Sequence, residues 1–280
     1  MARENRWSRG GWGLAVMGGL GIWLVWREIQ NRLTPINPGL AARYGLHLTR
    51  APQRVLAVTA HQDDLELFVR GTLRLLALAG SQITVVVATG GHEQYMEQRT
   101  LDQIREQEQR DAGVILGYDD IRFLRLRDLK LAHHPTFEPR LREVWDEVQP
   151  HLVLSFDPTA PYRSAVHPDH LAVGRVVLNI VRSLGSNAPD VVFYGTRDPN
   201  ALVDISQVME DKMQAIQCHR SQRYGWKRFY TPIMRWQAQL AGRSASLPYA
   251  EPLRYLSLPM LRKAATVENW SSSTPQYLPQ

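Results

Sequence analysis

Short apolar runs alternate with helical periods through the middle of the chain. Val55–Thr59 is mostly apolar, with β-branched residues at Val55, Val58 and Thr59, and it leads into His61-Gln62-Asp63-Asp64. A run of that length and composition predicts a buried strand. Glu66–Ala79 then sets Leu67, Leu73, Leu76 and Leu78 at helical spacing and stops at Gly80, which predicts a helix. The pattern repeats, with strands predicted over Ile83–Ala88, Ile121–Leu124, Leu152–Phe156 and Val191–Tyr194. Between and after them fall helical periods over Met96–Leu116, Pro139–Val148, Leu171–Leu184 and Val208–His219. Strands alternating with helices predict an α/β, Rossmann-like fold, a mostly parallel sheet with helices on both faces.

The flanks do not follow this pattern. Gly10–Trp26 carries no charge and is bracketed by Trp12, Trp23 and Trp26. Such a run is at the short end of the ~17–25 residues that cross a bilayer, and interfacial tryptophans are typical of such segments. A cleaved signal peptide would need a small-x-small site, and Trp-Leu-Val-Trp-Arg-Glu offers none. A buried soluble helix competes, but the run lies outside the α/β alternation. The expectation is an N-terminal membrane anchor over residues 1–30, with arginines on both sides leaving its orientation open. Pro35, Pro38, Gly39 and Pro52 mark 31–52 as a linker or covering segment, 53–258 as the main domain, and 259–280 as a tail.

Composition narrows the chemistry. Cys218 is the only cysteine of 280 residues, so an intramolecular disulfide or cysteine-rich zinc module is excluded. Any metal must be held by His, Asp or Glu. A net charge of +6 leans towards anionic partners, yet no nucleic-acid motif, Walker loop or G-x-G-x-x-G following a strand is present. Cys218 itself lies in a helical period with nothing to mark it as reactive.

Two polar clusters fall where ligands bind in open α/β sheets, just beyond the carboxyl ends of strands. The first is His61-Gln62-Asp63-Asp64, and the second is His167-Pro168-Asp169-His170, a loop after Leu152–Phe156. Neighbouring residues in extended backbone point opposite ways, so Asp63 and Asp64 need not share a task. Helix capping accounts for one aspartate, but not for the histidine or the second carboxylate. If Leu152–Phe156 lies beside Val55–Thr59, His61, Asp64 and His170 supply two imidazoles and one carboxylate with a position left for water. That is the ligand set of a catalytic zinc site, and iron or another divalent metal would also be accepted. A lone His-x-Asp-His is more often surface than ligand; the pairing of two such clusters at strand exits gives the metal reading its weight.

These residues resemble the PIG-L/LmbE family of zinc-dependent N-acetyl deacetylases, which act on N-acetylglucosamine-type groups. The family's His-Pro-Asp-Asp-Glu appears here as His61-Gln62-Asp63-Asp64-Leu65, and its His-x-Asp-His is complete at 167–170. Arg105-x-x-Glu108, Asp128, Lys212-x-x-Ala215, His219-Arg220-Ser221-Gln222 and Tyr249-Ala250-Glu251 are similar to further family segments. The resemblance implies one zinc ion on His61, Asp64 and His170, with Asp63 as general base. His167 would stabilise the oxyanion and protonate the amine, and Arg105 and Asp128 would contact the sugar. Asp169 is placed to orient or charge His167. Gln62 in place of proline changes loop stiffness. Leu65 in place of glutamate puts substrate positioning in question, with Glu66 one residue later as a candidate substitute.

Weaker signals remain. His92, after Gly90-Gly91, is a candidate for the same sheet edge and for substrate contact; His133-His134 reads as a solvated pair, and His219 as a structural histidine. Between Lys212 and Arg243 seven basic residues and no acidic one are interleaved with Trp226, Phe229, Tyr230 and Trp236. That is either an ordinary solvated face or a surface for lipid headgroups or a phosphate-bearing substrate. The expected substrate is therefore an N-acetylated amino-sugar conjugate on a lipid or other anionic carrier. A metal-dependent phosphoester hydrolase and a non-catalytic amino-sugar-binding relative stand as alternatives.

Overall fold

The computed structural model describes residues 54–90, 98–161, 167–222 and 230–256. The expectations for Gly10–Trp26, the linker, His92, the tail and the centre of the basic and aromatic run lie outside these residues. Among the described residues no helix is long and apolar enough to cross a membrane.

Five parallel strands form most of one sheet: β1 (Arg54–Thr59), β2 (Gln82–Thr89), β3 (Asp120–Leu126), β4 (Leu152–Phe156) and β5 (Asp190–Tyr194). β6 (Ala201–Asp204) and β7 (Ala250–Leu256) extend it, and the order across the sheet is β3-β2-β1-β4-β5-β7-β6. The central strands are apolar on both faces because helices cover both. Val55, Leu56, Ala57 and Val58 of β1 are wholly buried, as are Val85, Val86, Val87 and Ala88 of β2. The helices are α1 (Asp64–Phe68), α2 (Arg70–Leu78), α3 (Gln98–Leu116), α4 (Phe137–Val148), α5 (Pro168–Leu184), α6 (Met209–Cys218) and α7 (Tyr230–Arg243).

Chain order reverses between β1 and β4, which are direct neighbours with Val55 opposite Leu152 and Ala57 opposite Leu154. That reversal opens a crevice at the carboxyl edge of the sheet, and the loops leaving both strands enter it. The condition for the two polar clusters to meet is satisfied.

Two expectations are corrected. The single helix over Glu66–Ala79 is two, interrupted at Val69 (φ −135°, ψ 11°). The cause is tertiary: Glu251 of β7 accepts the N–H groups of Gly71 (2.9 Å) and Thr72 (2.8 Å), capping a fresh helix start that a continuous helix would have satisfied internally. Gly71 is required there, since a Cβ would sit 2.5 Å from Ile205 Cγ2 and 3.1 Å from Glu251 Oε1. The second correction is the antiparallel extension. β7 runs against both β5 and β6, and neither β6 nor β7 shows a clean apolar period. Pro252 is tolerated in β7 because that half of the strand pairs with β6 while β5 pairs further along, at Arg254–Leu256.

Candidate active site at the carboxyl edge of the sheet

β1 ends at Thr59, and the chain turns so that Asp64 folds back on it. Asp64 Oδ2 accepts from Thr59 Oγ1 at 2.9 Å and from the His61 N–H at 2.7 Å. The carboxylate is thereby fixed, with Oδ1 facing His170 Nε2 at 3.2 Å. His61 Nδ1 lies 3.4 Å from Asp64 Oδ2 and 3.2 Å from His170 Nε2. Metal–ligand bonds of ~2.0–2.2 Å in a tetrahedron place neighbouring ligand atoms roughly 3.3–3.5 Å apart, so this spacing fits a single zinc-sized cation. The imidazoles of His61, His167 and His170 also present nitrogens within 4.8 Å of one another, as do His61, Asp128 and Asp169 with their ligand atoms.

Each ring is held from behind. His170, in the first turn of α5, stacks on Phe156 at the end of β4, with centroids 3.9 Å apart and planes 6° from parallel. The far nitrogen of His61, Nε2, faces Asp169 Oδ2 at 3.6 Å and Asp128 Oδ1 at 3.8 Å. Carboxylates in that place select the tautomer that leaves Nδ1 free to bind a metal. Burial alone would drive His61 neutral, but Asp64, then Asp169 and Asp128, overcome it and raise its pKa to about 10. Burial likewise opposes ionisation of Asp64, yet His170 and His61 hold its carboxyl well below the usual range.

His167 occupies the N-cap of α5, and its Nδ1 accepts the Asp169 N–H at 3.3 Å. With Nδ1 an acceptor, the proton of the neutral ring sits on Nε2. Burial, followed by the charges of His61 and His170, lowers its pKa. Its side chain is 35% exposed, against 12% for His61 and 9% for His170, so it is the histidine a substrate meets first. Asp169 reaches both histidines. Its carboxylate accepts the N–H groups of Leu129 (2.7 Å) and Leu131 (3.2 Å) and lies nearer His61 than His167, at 3.6 against 3.9 Å. Asp169 therefore pins the loop after β3 to α5 and backs His61, while its N–H donates to His167 Nδ1 and its charge works to raise the His167 pKa.

Asp63 is not in extended backbone, as the sequence reading assumed. It lies at φ 89°, in the left-handed region, at the N-cap of α1, and its side chain makes no capping hydrogen bond. Capping thus fails to explain it. A non-glycine residue held there costs on the order of 1–3 kcal/mol, and such strain gathers at functional sites. Its N–H donates to Gln109 Oε1 at 3.3 Å, and Arg105 Nη2 is 3.8 Å from its Oδ1. Asp128 and Arg105 are both brought to the cluster, Asp128 beside His61 and Arg105 beside Asp63.

Beneath the cluster lies a layer that the sequence did not reveal. Leu65 is wholly buried in the core. Glu66, also wholly buried, faces His219 Nε2 at 3.3 Å, Gln109 Nε2 at 3.1 Å and the Tyr118 hydroxyl at 3.3 Å. His219 is buried with its Nε2 beside Glu66, and Cys218 is unactivated, burial pushing its thiol up. His133 is exposed and His134 half-buried. Gln109 was missed; the available signal was its place one helical turn after Arg105, on the same face of α3.

A doubly wound α/β domain with two histidine–aspartate clusters meeting at its switch point defines a metal-dependent hydrolase scaffold. Among known proteins, residues 56–181 match the model of the PIG-L family, described as GlcNAc-PI de-N-acetylase. Diacetylchitobiose deacetylase of Thermococcus kodakarensis is 28% identical over 73% of this chain and 83% of its own. A probable N-acetyl-α-D-glucosaminyl L-malate deacetylase of Bacillus cereus is 28% identical over 61% of this chain and 84% of its own. Among solved structures, the N,N′-diacetylchitobiose deacetylase of Pyrococcus horikoshii superposes with a TM-score of 0.66 at 26% identity, covering 74% of this chain and 85% of its own.

Proposed function

We propose that this chain is a zinc-dependent amidohydrolase that removes acetyl from an N-acetylglucosamine-type conjugate. The observation that carries the reading is the convergence of His61, Asp64 and His170 at 3.2–3.4 Å, with Asp63 on the same short loop. A divalent ion held by these three would polarise the acyl oxygen and acidify water, the two difficulties of hydrolysing an unactivated amide. Asp63 takes the proton of the attacking water, a role that contributes roughly 10²–10⁴-fold. His167 in its imidazolium form would hold the developing oxyanion through Nε2–H and then pass that proton to the departing nitrogen, ending as neutral imidazole. Arg105 and Asp128 border the cluster where a sugar would lie.

The named relatives act on glucosamine conjugates with different groups attached, which supports the sugar class and leaves the attached group to experiment. The uncharged run Gly10–Trp26 and the net charge of +6 support a carrier at a membrane, lipid- or phosphate-bearing. Screening the metal-loaded chain for free amine release from conjugates with lipid, nucleotide and inositol carriers tests the substrate. Sedimentation with membranes of the full chain, against a chain starting at residue 31, tests the anchor.

For the mechanism, Asp63→Asn is expected to keep about one zinc per chain by elemental analysis and to lose roughly 10²–10⁴-fold in turnover. Full activity in that variant would refute the base assignment. Phosphate release without acetate release would instead favour a phosphoesterase, and sugar binding with neither product would favour a non-catalytic relative.

A further inference from the structure

Helix α3 sends two side chains, one turn apart, against a single peptide group of the active-site loop. Arg105 Nη2 donates to the carbonyl oxygen of Gln62 at 3.2 Å. Gln109 Oε1 accepts the N–H of Asp63 at 3.3 Å. These are the two poles of the peptide joining Gln62 to Asp63, so one helix grips that unit at both ends. The bond that follows it is the N–Cα bond of Asp63, whose φ of 89° is unfavourable for any residue with a Cβ.

Gln109 is itself held. It is wholly buried, and its Nε2 donates to Glu66 Oε1 at 3.1 Å and to the Tyr118 hydroxyl at 3.0 Å. With its amide nitrogen facing a carboxylate, the oxygen is the end turned to Asp63. Glu66 is steadied in turn by His219, 3.3 Å away. Arg105 adds a second grip, with Nη2 3.8 Å from Asp63 Oδ1.

We propose that Arg105 and Gln109 are positioning residues that hold Asp63 in its left-handed conformation, so that its carboxylate stays beside the His61 cluster. This rests on Asp63 as the base and goes beyond it, because it assigns Arg105 a task other than sugar contact and gives Gln109 a task for the first time. The grip acts on kcat through Asp63 and leaves metal affinity alone, and for Gln109, which does not border the sugar, substrate affinity as well.

The experiment uses full-length Gln109→Leu and Arg105→Met, each alone and combined with Asp63→Asn. Hydrogen–deuterium exchange of residues 61–65, zinc per chain and steady-state kinetics on a conjugate the wild type turns over are the three readouts. Expected in both single variants are faster exchange confined to 61–65, unchanged zinc and kcat lower by roughly 10²-fold, the usual cost of an ångström of misplacement, with KM within about threefold in Gln109→Leu. In the Asp63→Asn background neither change should lower kcat more than about threefold further, since both work through the lost carboxylate. Unchanged exchange and kcat in both variants overturn the proposal, as do full additive losses in the doubles. A rise in KM alone in Arg105→Met overturns it for Arg105. Should Gln109→Leu fail to fold, Arg105→Met decides. If the wild type deacetylates nothing offered, the exchange readout still judges the grip while the deacetylase reading falls separately.

Discussion

Two buried ionic clusters lie within a few residues of each other along α1 and α2, and they are built to opposite ends. At the sheet edge, His61, Asp64 and His170 turn nitrogen and oxygen lone pairs toward one another, and His167 opens to solvent. Deeper in, Glu251 accepts from Gly71 N, Thr72 N, Thr72 Oγ1 and Lys212 Nζ, all of them buried. The deep carboxylate has a donor for every lone pair and holds β7, α2 and α6 together. The edge cluster groups imidazoles and carboxylates whose ligand atoms lie close enough together to hold a metal ion. The same residue types thus make a site or a joint according to whether the donors around them balance.

The largest effect expected is at the edge. His61→Ala should reduce bound zinc to near zero and turnover to background. Added zinc, which raises the wild-type melting temperature by ligand linkage, should leave this variant's unmoved. A variant that still bound one zinc per chain at full affinity would remove His61 from the ligand set.

Glu251→Gln should do the reverse. Breaking a buried, hydrogen-bonded ion pair costs about 3–5 kcal/mol, because Lys212 is left as an uncompensated charge. Urea unfolding should register that loss, while zinc per folded molecule and KM stay close to wild type. A stable variant with damaged metal binding would dissolve the distinction between the two clusters.

A smaller effect is expected at Asp157, which follows β4 onto the same edge but belongs with the structural class. Burial opposes its ionisation, but Arg254, then Thr196 and Thr159, hold its carboxyl below the usual value. A carboxylate with a depressed folded pKa stabilises the protein above its unfolded pKa of about 3.9, and that contribution is lost as pH falls through the lower folded value. Wild type should therefore lose stability below about pH 4 more steeply than Asp157→Asn. Parallel acid limbs in the two would show that Asp157 contributes nothing to this dependence.

How much of this was legible from residues alone depended on where the information lay. Strands β1, β2, β4 and β5 are continuous apolar runs because both faces are covered, and their sequence reports it directly. β7 reads Ala-Glu-Pro-Leu-Arg-Tyr-Leu, with a buried glutamate whose partner is on another element, and no period survives. The two histidine clusters were visible because each is contiguous. Gln109 and the left-handed backbone of Asp63 were not, since glutamine on a helix looks like solvated surface until something is known to pack on it.

By itself the chain's sequence determined the layered α/β class, the two clusters and their position after strands, all consequences of local period and composition. Tertiary structure alone decided that β1 and β4 are neighbours, that His61 and His170 meet 3.2 Å apart, and that the Asp169 carboxylate lies 3.6 Å from His61 as well as 3.9 Å from His167. The reason is physical. Periodicity reports which face of an element is dry, whereas a polar side chain's partner is set by which distant segment arrives opposite it.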